Sequence, residues 1–136
     1  MIRWFADSFF FIALLSDEDR AHDKAVRIIE SLSVPIVTTA WVLVEVADAM
    51  SGPRRRARCI SFFASLEKHS RVFIVEASQR HYRKGLELYV SRPDKDWPLT
   101  DCISFVIMQE EGISEALTGD GHFVQAGFRA LLLKIG

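Results

Sequence analysis

Four acidic residues stand where a carboxylate is costly or conspicuous: Asp7, Glu45, Asp101 and Asp120. Asp7 ends a short apolar run, Ile2–Ala6. Glu45 sits in the middle of Ala40–Met50, among Trp41, Val42, Leu43, Val44, Val46, Ala47 and Met50. Asp101 opens another apolar stretch with Cys102, Ile103, Phe105, Val106, Ile107 and Met108, and Asp120 lies between Gly119 and Gly121. A carboxylate on a buried helix costs free energy unless it is paired or metal-bound. Carboxylates gathered in one place repel each other and must be neutralised. All-oxygen ligation suits Mg²⁺ or Mn²⁺ rather than zinc. An ion held in this way polarises phosphoryl oxygens, generates a hydroxide-like nucleophile and stabilises a leaving oxygen. Each acid also has a simpler explanation. Asp7 and Asp101 suit helix caps or first turns, Asp120 suits a turn, and Glu45 suits an ion pair with an arginine.

The elements that would position these acids alternate between strand and helix. Ile2–Ala6 reads as a buried strand and Phe9–Leu15 as the helix after it. Residues 19–32 form a clear amphipathic helix, with Ala21, Ala25, Ile28, Ile29 and Leu32 on one face. Val34–Val37 reads as a second strand, and Thr38-Thr39 as the cap of helix Ala40–Met50, which should be buried nearly all round. Ser51-Gly52-Pro53 stops it. An arginine-led helix follows to about Lys68, its apolar side supplied by Ile60, Phe62, Phe63 and Leu66. Val72–Val75 is a third strand and Ser78–Val90 a helix. Thr100–Glu111 is a second buried helix, ended by Gly112. Ala116–Leu117 is the core of a fourth strand, His122–Ala126 a helical turn and Ala130–Leu133 a last strand. This order predicts a single α/β domain over residues 1–136, a three-layer α/β/α sandwich around a mainly parallel sheet of about five strands. Sites on such sheets lie outside the carboxyl ends of the strands. Asp7, Asp101 and Asp120 fall at junctions expected on that edge, and a Glu45 side chain on the inner helix face can lean toward it.

Composition narrows the classes. The chain has 136 residues, 49% hydrophobic and 26% charged, with a net charge of −1, which excludes a generally basic nucleic-acid binder but not a local basic patch. Arg54, Arg55, Arg56 and Arg58, with Arg80, Arg83 and Lys84, are candidate phosphate contacts or a solvated face. Cys59 and Cys102 form no C-x-x-C pair and read as buried thiols in a reducing compartment. Arg3 and the apolar Phe9–Leu15 superficially resemble a leader, but Asp7 precedes that run and Asp17-Glu18-Asp19-Arg20 follows without a cleavage site. No apolar stretch approaches the roughly 20 residues that span a bilayer. A cytoplasmic protein is expected. His22, His69, His81 and His122 show no zinc-ligand spacing; His122 is near Asp120, and packing or capping is favoured over ligation for it. Neither a phosphate-cradling glycine loop nor a nucleophile elbow is present.

Phe5-Ala6-Asp7-Ser8 with Ala13-Leu14-Leu15, Val44-Glu45-Val46, Leu99-Thr100-Asp101-Cys102-Ile103-Ser104-Phe105, and Leu117-Thr118-Gly119-Asp120-Gly121-His122-Phe123 with Gly127-Phe128 together resemble PIN-domain ribonucleases, most closely the VapC toxins of bacterial toxin–antitoxin pairs. The resemblance spans nearly the whole chain, and its last two motifs are the specific ones. It implies Mg²⁺-dependent endonucleolytic cleavage of RNA, leaving a 5′-phosphate and a 3′-hydroxyl. It carries over Asp7, Glu45, Asp101 and Asp120 as the catalytic, metal-binding quartet, with Asp7 and Asp101 the most direct ligands. Ser8, Thr100 and Ser104 match pocket-shaping positions, and Asp96 matches a supporting acid. The resemblance further implies a homodimer and a cognate antitoxin. Pro98 replaces a commoner serine and suits a helix entry. Gly119 and Gly121 replace larger residues, which predicts a looser hold on Asp120.

Other readings compete with a toxin. One is an RNA-processing PIN nuclease without an antitoxin. Another is an inert PIN-fold scaffold for RNA or protein, against which the intact quartet argues. A helix-turn-helix regulator built from Ala40–Met50 and the arginine-led helix is disfavoured, because the first of those helices is too apolar for a surface element.

Overall fold

The structure, a computed structural model, describes residues 1–133. Its strands are β1 (Trp4–Ala6), β2 (Ile36–Thr39), β3 (Val72–Val75), β4 (Glu115–Leu117) and β5 (Arg129–Ala130). Its helices are α1 (Ser8–Leu15), α2 (His22–Glu30), α3 (Ala40–Ala49), α4 (Pro53–Glu67), α5 (Gln79–Ser91), α6 (Leu99–Glu111) and α7 (Gly121–Gln125). The strands form one all-parallel sheet in the order β3-β2-β1-β4-β5. The chain runs outward from β1 to β3 and then crosses back to β4. Right-handed crossovers therefore put the helices before β3 on one face and those after it on the other. The packing agrees: α1 lies against α2 and α3, while α5 lies against α6 and α6 against α7.

Local chemistry sets the helix boundaries. Thr39 caps α3, its hydroxyl accepting from the Val42 amide at 3.1 Å, and Ser78 caps α5 through the His81 amide at 3.1 Å. Pro98 is the N-cap of α6, so the replaced serine does no harm to that entry. Gly112 ends the same helix at φ +67°, a left-handed conformation natural to glycine. The α5–α6 crossing is close because Gly85 has no side chain. A Cβ there would lie 2.3 Å from Ile103 Cγ1 and 3.0 Å from its Cα.

Three expectations need correction. Helix α3 is not buried all round: Val42 and Val46 are buried, but Val44 is 58% exposed, because no described element covers the outer face. The second helix starts at His22 rather than residue 19, since Asp19 and Ala21 form a turn in which the Asp19 carboxylate accepts from the Ala21 amide. The last strand is Arg129–Ala130 rather than Ala130–Leu133; Leu131 and Leu132 turn away after donating their amides to the Ala116 and Thr118 carbonyls at 2.9 and 3.0 Å. Cys59 and Cys102 are buried free thiols.

Candidate active site

The strand order reverses direction between β1 and β4, the topological switch point where open parallel sheets place their ligands. Asp7 directly follows β1, and Asp120 lies just past β4. Asp101 lies in the first turn of α6, and Glu45 midway along α3. An aromatic stack fastens the C-terminal pieces together. Phe105 on α6 meets Trp97 and Phe123 edge to face at centroid distances of 5.1 and 4.9 Å, which ties α7 to the helix that bears Asp101.

The structure brings the quartet together, each acid within electrostatic reach of others. Burial first, and then the facing carboxylates of Asp7, Asp120 and Glu45, push Asp101 up to about pKa 8. Burial likewise raises Asp7 to about 6, helped by Glu45 and Asp120 and opposed by the nearby Ser8 backbone and the Thr118 hydroxyl. Glu45 is half-buried rather than buried, and its pKa is raised mainly by desolvation; the hydroxyls of Ser8 and Thr100 pull it back, while Asp120 and the exposed Asp48 push it up. No arginine or lysine is among the largest influences on these three acids.

Capping does not account for the two most buried acids. Asp7 is the N-cap of α1 by position, yet its side chain makes no cap bond. Thr118 donates to Asp7 Oδ2 at 3.0 Å, and Oδ1 is buried without a protein partner among the described residues. Asp101 is no cap either, because Pro98 holds that position. Asp120 does cap α7, its Oδ1 accepting from the His122 amide at 2.9 Å. The flanking glycines do not leave it loose. The Asp120 amide donates to Thr118 Oγ1 at 3.0 Å, and the Phe9 ring fills the space beside Gly119, where a Cβ would lie 2.5 Å from Phe9 Cζ.

The other candidate residues divide. Ser8 and Thr100 face Glu45. Ser104 is fully buried, its hydroxyl without a protein partner among the described residues. Asp96 is exposed and lines a different cavity of about 780 Å³, beside Arg92, Lys95 and Trp97. Arg54, Arg55, Arg56, Arg83 and Lys84 are exposed. Arg58 donates to the Leu15 carbonyl and to Asp17, and Arg80 is paired with Glu110. Sequence reasoning gave no role to Thr118 or Asp19 and favoured packing or capping for His122. Thr118 holds two members of the quartet. Asp19 lines a cleft of about 380 Å³ with Asp7, Ser8, Phe9 and Asp120. His122 sets Nδ1 at 3.2 Å from both Asp101 Oδ2 and Asp120 Oδ1, so its role is not packing alone. Only the Asp120-x-His122 spacing gave any signal.

The chain matches the PIN domain family over residues 5–129 and belongs to it. Its relatives include the 23S rRNA-specific endonuclease VapC20 of Mycobacterium tuberculosis, 29% identical over 125 residues that cover 91% of this chain and 94% of that protein. The crystal structure of VapC20, described as a Sarcin-Ricin loop cleaving toxin, superposes with a TM-score of 0.82 at 24% identity, covering 91% and 95% of the two chains. VapBC from Salmonella typhimurium bound to DNA shares the fold at a TM-score of 0.66 and 12% identity, covering 96% and 97%. VapBC2 of Rickettsia felis, bound to a promoter DNA fragment, shares it at 0.68 and 14%, with the same coverage.

Proposed function

We propose that this chain is a Mg²⁺-dependent endoribonuclease, with Mn²⁺ as a substitute ion, and the toxin of a toxin–antitoxin pair. The observation that carries the reading is the convergence of Asp7, Glu45, Asp101 and Asp120 with no lysine or arginine among the largest influences on Asp7, Glu45 and Asp101, Asp7 Oδ1 being buried with no protein partner among the described residues. That orphaned oxygen fits an ion, as does an oxygen-rich donor set. Asp7 and Asp101 would hold it most directly, with Glu45 and Asp120 completing the site directly or through water. When bound, the ion supplies an acidified water and a polarised phosphoryl oxygen. Thr118 fixes the Asp7 carboxylate by holding Oδ2 and leaving Oδ1 free. Glu45, half-buried and with a raised pKa, is the base that takes the proton of the attacking water. The water oxygen would bond to phosphorus as the bond to the 3′-oxygen breaks, and the departing 3′-oxygen would take a proton from solvent water, leaving a 5′-phosphate and a 3′-hydroxyl.

The exposed Arg54, Arg55, Arg56, Arg83 and Lys84 are the proposed backbone contacts, with Arg58 and Arg80 joining by exchanging their present partners. An antitoxin partner is supported by the VapBC assemblies among the similar structures. The apolar surface left open at Val44 and Ile60, with a groove of about 360 Å³ lined by Ala47, Met50, Cys59, Ile60 and Phe63, suits such a partner. A homodimer and a cytoplasmic location complete the proposal, the latter supported by the free buried thiols. Among the described residues no helix is long and apolar enough to cross a membrane.

The test is cleavage of a mixed RNA pool that includes 23S ribosomal RNA, with Mg²⁺ or Mn²⁺, beside EDTA and Asp7→Asn. Metal-dependent cutting that vanishes in the variant is expected. Cutting that survives in Asp7→Asn overturns the site.

A further inference from the structure

We propose that His122 is itself a metal ligand, and that its nitrogen makes this site hold Mn²⁺ in preference to Mg²⁺. The inference rests on the metal-nuclease reading above and deepens it. His122 follows Asp120 by two residues, and its own amide donates to Asp120 Oδ1, which fixes the residue at the head of α7. From there the ring reaches across to α6. Nδ1 stands 3.2 Å from Asp101 Oδ2 and 3.2 Å from Asp120 Oδ1. One donor atom from each of Asp101, Asp120 and His122 lies within 4.8 Å of the others.

An octahedral ion with ligands at about 2.1 Å holds adjacent donor atoms about 3 Å apart, so each of the two 3.2 Å distances from Nδ1 suits neighbouring corners of one coordination shell. Hydrogen bonding explains it less well. One Nδ1–H aimed between two carboxylates serves each poorly, and 3.2 Å is the long limit for such a bond. A separate observation points to a ligand beside this group: the neighbouring Asp7, whose charge acts on Asp101, buries Oδ1 with no protein partner among the described residues. The three grouped donors are two carboxylates and one imidazole. Mg²⁺ prefers oxygen and keeps its waters, whereas imidazole favours first-row transition ions. Replacing one oxygen corner by nitrogen therefore favours Mn²⁺ over Mg²⁺.

The experiment is pulsed electron paramagnetic resonance of Mn²⁺ bound to the full chain, with the histidines labelled with ¹⁵N, alongside calorimetric titration of Mn²⁺ and of Mg²⁺ into wild type, His122→Asn and His122→Gln. Expected are a directly coupled histidine nitrogen in the wild type and a fall in Mn²⁺ affinity of about tenfold or more in both variants, with Mg²⁺ affinity changed less than about threefold. The wild-type spectrum does not depend on either variant folding. Mn²⁺ binding with no histidine coupling overturns the role of His122 and leaves the carboxylate site standing. Absence of any Mn²⁺ binding overturns both readings, and parallel losses for both ions in the variants reduce His122 to a positioning residue.

Discussion

Helix α6 carries an acid near each end, and the chain treats the two in opposite ways. Near the C-terminal end, Glu110 receives the Arg80 guanidinium through contacts of 2.6 and 3.0 Å and His81 Nε2 at 2.9 Å, and Arg80 first, then His81, holds its pKa down at about 2. In the first turn, Asp101 is 4% exposed and surrounded by Asp7, Asp120 and Glu45, and its pKa is pushed up to about 8. An acid neutralised by its own chain needs nothing further and ties α5 to α6. Acids buried together without that help store an electrostatic cost that a cation relieves. Perturbed ionisation of this second kind marks functional sites more often than structural ones.

Breaking the first-turn acid has the largest expected effect. Asp101→Asn should cut RNA cleavage by roughly 10³-fold or more in single-turnover assays. It should also raise the thermal stability of the metal-free protein at pH 8, because a buried like charge is removed. A rise in activity together with a fall in stability would reverse the comparison.

The packing between the two ends comes next. Gly85→Val drives a branched side chain into Ile103, where even a Cβ has no room. It should cost about 1–3 kcal/mol in denaturant unfolding. Thr118→Val keeps the shape but removes the donor to Asp7 and the acceptor for the Asp120 amide. Cleavage should fall about 10- to 100-fold, with metal affinity falling in parallel when measured by titration.

The two ends should also answer pH with opposite sign. Asp7 and Asp101 have folded-state pKa values above the ordinary 3.8, so their protonated forms favour folding. That stabilisation is fully present below about pH 4 and is lost as pH rises through about 6 and then about 8. Glu110 contributes the reverse: stability present above its ordinary 4.5 and lost as pH falls through about 2. Metal-free melting curves from pH 5 to pH 9 should therefore decline with pH in the wild type and more gently in Asp101→Asn. The smallest effect belongs to Glu110→Gln. It should leave cleavage within about twofold and cost no more than about 1 kcal/mol, since the pair is partly exposed.

The alternation of strands and helices, and the junctions bearing Asp7, Asp101 and Asp120, were legible because periodicity and turn chemistry are local. The outer face of α3 was not. Val44 looks like a core residue, and a pattern of apolar positions does not say whether an element covers each face. Gly119 read as freedom for Asp120, whereas in the fold it makes room for Phe9, a contact between distant residues. The role of Thr118 and the reach of His122 to Asp101 escaped for the same reason. Their partners, Asp7 and Asp101, are brought to them only by the crossover between β1 and β4 and by the packing of α6 on α7. Asp19 was hidden in a charge run that otherwise looked solvated.

The central claim, that these acids, with His122 alone beside them among the described basic side chains, hold a proton until a metal ion arrives, is tested most directly by counting protons. Titrating Mn²⁺ or Mg²⁺ into the metal-free protein near pH 7, in buffers of different ionisation enthalpy, measures the protons released per ion bound. The account predicts release of about one proton per ion, mostly from Asp101, and much less from Asp101→Asn. Binding with no proton release in the wild type, or with equal release in the variant, would contradict it.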